Sequence, residues 1–165
     1  MKTNLLMNFS VDKENNKITV DREFAATKDK VWTAWTTAEM LDQWWAPKPW
    51  KANTVSRDFS VGGRWLYYMQ GPDGERHYSF ADYTAIDTGK SFAADDGFCD
   101  EKGNVNTEWP GSTWNTSFSG NGDSTMVNIT ITYEKLEDLE NTLKMGFKEG
   151  FTMAMENLDG IFDGN

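Results

Sequence analysis

Apolar residues at Leu136, Leu139, Leu143, Phe147, Phe151, Ala154, Leu158 and Phe162 recur in steps of three or four. That is the period of one helix face. The pattern predicts a single long amphipathic helix over Leu136 to Phe162. Glu137, Asp138 and Glu140 fall in its first turns, where the helix dipole favours anions. Such a stripe must lie on something, and most of the upstream chain reads as short strands.

Ile18, Val20, Arg22 and Phe24 alternate with Thr19, Asp21 and Glu23, which predicts a first strand with one buried face. Residues 1–16 are polar after a brief apolar start and are expected to form an N-terminal extension ending in an Asn15-Asn16 turn. Thr27 is placed to cap a helix through about Thr36, with Val31, Ala34 and Trp35 on its inner stripe. Thr37 is placed to cap a second short helix, which Pro47 and Pro49 stop after Trp44 or Trp45. Strands are then expected over Thr54–Val61, Arg64–Gln70, His77–Asp87, Ser91–Ala94, Thr113–Phe118 and Thr125–Tyr133. Gly62-Gly63 and Gly71-Pro72-Asp73-Gly74 separate the early ones. Asp95 to Gly111 reads as a polar loop. Tight turns between consecutive strands give an antiparallel meander, and a twisted sheet of about seven strands curls and can take one helix on its concave side. The expected class is α+β, in one domain spanning 1–165.

Composition sharpens this picture. Aromatic residues make up 14% of the chain, with eight Trp. That content suits a large core and an aromatic-lined pocket. The formal net charge of −10 argues against nucleic acid and anionic membrane surfaces as partners. Cys99 is the one cysteine, so no internal disulfide can form. No stretch has the length of a secretory leader's apolar region or of a membrane span, and a cytoplasmic location is expected.

Candidate chemistry is sparse. His77 is the only histidine, so any Ser-His-Asp or Cys-His relay must use it; nothing in the sequence places it beside Cys99. No phosphate-binding glycine motif occurs. Asp95-Asp96 and Asp100-Glu101 lack calcium-loop spacing and read as a solvated acidic loop. No catalytic residue, metal site or cofactor is therefore expected. Arg57 alternates with Val55 and Phe59, so it points inward, either to pair with a core acid or to anchor a ligand carboxylate. The residues expected at the sheet–helix interface are Trp35, Trp65, Tyr67, Met69, Trp114, Phe147, Phe151 and Met155. With Arg57 and a rim position for His77, they form the candidate ligand cavity.

Specific stretches add a resemblance. Val31-Trp32-Thr33-Ala34-Trp35-Thr36 followed by Trp44-Trp45-Ala46-Pro47, Arg57 to Trp65 around Gly62-Gly63, Gly71-Pro72-Asp73-Gly74, and Met145 to Phe151 occur in order. Together they resemble the activator of heat shock protein 90 ATPase homologue family, within the START-like or SRPBCC superfamily, over roughly residues 17 to 163. The resemblance implies the helix-grip fold of Bet v 1-like proteins. Family members include a co-chaperone of heat shock protein 90, in which another domain precedes the matching one. No such domain is expected before Ile18, which argues against chaperone stimulation. The leading expectation is a domain that binds a small hydrophobic or aromatic molecule between sheet and C-terminal helix and is not an enzyme. A protein-interaction module, with a chaperone as partner, and a cyclase- or hydrolase-like cavity enzyme remain the alternatives.

Overall fold

The computed structural model describes residues 5–163. It contains β1 (Met7–Asp12), β2 (Lys17–Phe24), α1 (Lys28–Thr36), α2 (Ala38–Trp44), β3 (Lys51–Arg57) and β4 (Arg64–Gln70). β5 (Arg76–Asp87), β6 (Ser91–Phe98), β7 (Ser112–Asn121), β8 (Ser124–Tyr133), α3 (Leu136–Lys144) and α4 (Phe147–Asp163) follow. The strands form one antiparallel sheet in the order β1-β2-β8-β7-β6-β5-β4-β3. β3 to β8 make the expected meander, and β2 closes onto β8 with Ile18 opposite Ile131 and Val20 opposite Ile129. The helix pair α1–α2 carries the chain from β2 to β3, at the other edge of the sheet. Val127, Ile129 and Ile131 from β8 and Ala154, Met155 and Leu158 from α4 belong to one core cluster, all essentially inaccessible to solvent.

Four predicted boundaries change. Residues 7–12, expected to fall in an N-terminal extension, form β1, which pairs with β2 from Met7–Arg22 to Asp12–Lys17. The hairpin turns at Asn16, whose φ of 56° suits Asn, and the Asp12 carboxylate accepts the Asn15 side-chain amide at 2.8 Å. The strand expected over Thr54–Val61 runs from Lys51 to Arg57. The strand expected to end at Ala94 continues to Phe98, so Asp95 and Asp96 are strand residues. The long helix is two, broken at Met145-Gly146, where Gly146 has φ +88°. The apolar stripe keeps its period across the break because Gly146 ends α3 in the left-handed conformation that favours glycine.

Gly62-Gly63 serves both geometric purposes its sequence suggested. Gly62 takes φ +89°, and a Cβ on Gly63 would lie 2.2 Å from the Asp58 carbonyl oxygen. Thr27 and Thr37 precede their helices, but neither hydroxyl caps; Thr37 donates instead to the Thr33 carbonyl at 2.9 Å. On the convex side, the segment after β6 covers Leu66 and Phe80, with Arg64 donating to the Gly103 carbonyl at 2.7 Å and resting over the Phe80 ring.

Candidate functional site

Alternation along β4, β6 and β7 decides which side chains meet the helix. Trp65 and Tyr67 from β4, Ala94 and Asp96 from β6, and Trp114 and Thr116 from β7 all face the concave side. With Trp35, Leu41 and Trp45 from the helix pair and Tyr83 and Phe92 from the sheet, they line an internal cavity of about 40 Å³. That volume admits a few water-sized groups. The aromatic walls support one another. Trp65 stacks on Tyr67 with centroids 3.9 Å apart, Trp45 meets Trp65 at 5.6 Å, and the Trp45 indole N–H donates to the Tyr67 hydroxyl at 3.1 Å. Phe151 of α4 packs behind these rings without lining the cavity, 5.6 Å from Trp114 and 6.0 Å from Trp45.

Polar groups interrupt this apolar lining. Trp35 is 3% exposed and Thr116 2%; both line the cavity, and neither Trp35 Nε1 nor Thr116 Oγ1 has a protein hydrogen-bond partner. A buried polar group without a partner costs stability. Asp96 is the one carboxylate in the lining. Its Oδ1 accepts the Ser112 backbone N–H at 3.1 Å and the Ser112 hydroxyl, while the Trp114 indole N–H donates to that hydroxyl oxygen at 3.2 Å. Burial pushes the Asp96 carboxyl up to about 6, against the opposing effect of the Ser112 bonds. Burial likewise raises the Tyr67 phenol and pushes Tyr133 up to about 12, with the nearby Asp96 charge acting in the same direction on both.

Asp96 also borders a second, wider groove of about 370 Å³ at the ends of β6, β7 and β8. Asp95, Ser112, Thr113, Thr132, Tyr133 and Glu134 complete most of its wall. Asp96 is thus the residue through which outer groove and inner cavity adjoin.

Of the residues singled out in the sequence, Trp35, Trp65, Tyr67 and Trp114 line the cavity. Phe147 stacks on Phe151 at 5.3 Å and meets Trp114 at 6.1 Å, so it lies one layer further out. Met155 is fully buried in the core and Met69 packs at its margin. His77 is exposed, its ring against Trp50 at 5.4 Å. Arg57 sits behind the cavity wall. It donates to the Tyr83 hydroxyl at 3.2 Å and its guanidinium lies over Phe59 and Tyr83, so aromatic faces and a phenol take the place of the expected core acid. The solvated acidic loop is corrected too: Asp96 faces inward. Sequence reasoning missed Asp96, Ser112, Trp45 and Thr116 as site residues. The available signal was two-residue spacing, which puts Asp96 in phase with Ala94 and Ser112 in phase with Trp114 and Thr116. Among the described residues, no group of three or more His, Cys, Asp or Glu could hold a metal ion, and no helix is long and apolar enough to cross a membrane.

A curved antiparallel sheet gripping a C-terminal helix, with two short helices after the second strand, defines a START-like domain of the helix-grip class. The chain belongs to the family described as Activator of Hsp90 ATPase homolog 1-like protein, which matches residues 25–163. Protein Ms6760 from Mycobacterium smegmatis is similar in structure, with TM-score 0.86 and 33% identity, over 95% of this chain and 96% of that one. A protein from Arthrobacter aurescens superposes with TM-score 0.89 at 30% identity, over 96% of this chain and 92% of that one. A third, from Staphylococcus epidermidis, has TM-score 0.82 and 26% identity, covering 94% of each chain. Comparison with curated proteins gave no match.

Proposed function

We propose that the chain binds a small, largely apolar or aromatic molecule in the cavity, whose lining comes from the concave sheet face and the α1–α2 helix pair and not, as expected from the sequence, from the C-terminal helix. One observation carries this reading. Trp35 and Thr116 line an aromatic-walled space, and their buried Nε1 and Oγ1 have no protein partner. A ligand oxygen there would satisfy the indole N–H and remove the cost of leaving it unpaired. The inner space is well below the roughly 300–1,000 Å³ of common ligand pockets. The ligand is therefore small, or inserts one end while the rest occupies the outer groove.

Native mass spectrometry on freshly purified protein tests this. The expected result is a discrete extra mass that denaturation releases. Protein that stays empty after incubation with a library of small aromatic compounds overturns the reading.

Asp96 favours a second reading, a cavity enzyme. A carboxyl poised near neutrality in a partly desolvated site suits proton transfer. The released molecule, returned to emptied protein and to Asp96→Asn, distinguishes the two. A mass that changes only with the native chain supports catalysis, and an unchanged mass supports binding alone.

A further inference from the structure

Asp96 has no cationic partner. The ion pairs among the described residues are Lys13–Glu140, Arg22–Asp159 and Arg64–Asp82, and both Ser112 hydrogen bonds go to the single oxygen Oδ1. Four aromatic residues share the cavity with Asp96: Trp45, Trp65, Tyr67 and Trp114, the last turning its indole N–H to the Ser112 hydroxyl beside the carboxylate. The groove outside adds Asp95 and Glu134, and neither lining contains Lys, Arg or His. Carboxylates along an open groove favour cations over anions nearby. Aromatic faces beside a carboxylate attract organic cations through the ring quadrupole, and a carboxylate accepts strong, charge-assisted hydrogen bonds from an ammonium group. Trp35 and Thr116, whose Nε1 and Oγ1 are buried without a protein partner, line the same cavity.

We infer that the ligand is a small organic ammonium ion, which enters from the open groove at the ends of β6, β7 and β8 and rests its cationic head on Asp96 within the aromatic cavity. This rests on the cavity reading and narrows it to a charge class. The bland role for Asp96, holding the start of β7 through Ser112, needs only Oδ1. It gives no reason for a carboxylate without a counter-ion among the aromatic residues of this cavity.

The test is an NMR titration of the ¹⁵N-labelled full chain, following the tryptophan indole N–H resonances. The probes are benzylammonium, benzyl alcohol and benzoate, which share a ring and differ in charge. Benzylammonium is expected to shift the Trp35, Trp45 and Trp114 resonances saturably, to bind roughly tenfold or more tightly than benzyl alcohol, and to lose that advantage in Asp96→Asn. Benzoate is expected to leave the resonances in place. Benzyl alcohol binding as tightly as benzylammonium, or Asp96→Asn binding benzylammonium undiminished, overturns the charge assignment and leaves the cavity reading standing. Resonances unmoved by all three probes overturn both. If Asp96→Asn fails to fold, the comparison of ammonium with alcohol on the native chain decides alone.

Discussion

Trp45 and Tyr67 hold each other across the cavity, the indole N–H of the first donating to the phenol oxygen of the second at 3.1 Å. The bond ties the exit of α2 to the middle of β4, so cavity shape and helix-pair position are linked. Tyr67→Phe keeps the ring stacked on Trp65 but leaves the Trp45 N–H without its acceptor. The expected loss is about 1–2 kcal/mol in urea unfolding. A neutral result would mean that water already serves Trp45.

The Asp96 carboxyl, at about 6 in the folded chain against the ordinary 3.8, holds its proton more tightly folded than unfolded. Its contribution is therefore full below about pH 4 and is lost as pH rises toward 6. Asp95, Tyr67, Tyr133 and Glu134 surround it, so the measurement must be differential. Asp96→Asn is expected to be more stable than the native chain at neutral pH by roughly 1–3 kcal/mol. The gap should close on acidification to about pH 4. A constant gap across that range would place the titration on another group.

Arg22 is 5% exposed and is paired with Asp159 of α4, which anchors the helix to β2. Burial raises the Asp159 carboxyl in spite of Arg22, so the ion pair is bought against desolvation. Asp159→Ala leaves the guanidinium uncompensated and is expected to cost roughly 3 kcal/mol by thermal or chemical unfolding. The double variant Arg22→Met/Asp159→Leu should recover most of that. A double variant as unstable as the single would show that shape, not charge, dominates there.

Two glycines four residues apart predict opposite outcomes. Gly146 breaks the helix at φ +88°, and Ala there is expected to destabilise by about 1–2 kcal/mol. Gly150 lies within α4, where an added Cβ would sit at ordinary contact distance, 3.7 Å, from Pro47 Cγ. Gly150→Ala should stabilise by up to about 1 kcal/mol. Equal effects at both positions would contradict the assigned helix break.

The fold was legible where one period dominates, as in β8, whose alternation from Val127 to Tyr133 matches its observed faces. It was illegible where two signals conflict. The stripe from Leu143 to Phe147 keeps helical spacing across Gly146, so periodicity hides a break that backbone conformation imposes. β1 carried the alternation of a strand in Met7, Phe9 and Val11, but it is a short edge strand whose Val11 stays exposed, so the pattern read as part of a polar extension. Asp96 escaped for a related reason. A carboxylate after Ala93-Ala94 and before Gly97 carries no strand signal of its own; pairing with Ser112 on β7 is what turns it inward, and that partner lies beyond a long loop.

The ring contacts around the cavity have an optical consequence. Trp35 meets Trp44 and Trp45, and Trp45 meets Trp65 and Trp114, all at centroid separations of 6.0 Å or less. Indoles this close exchange excitation before they emit and couple their near-ultraviolet transitions. Light absorbed by any one of these five is shared with Trp114, the ring hydrogen-bonded to Ser112 beside Asp96. The chain therefore carries a built-in reporter, whose fluorescence and near-ultraviolet dichroism should respond to whatever settles on that carboxylate.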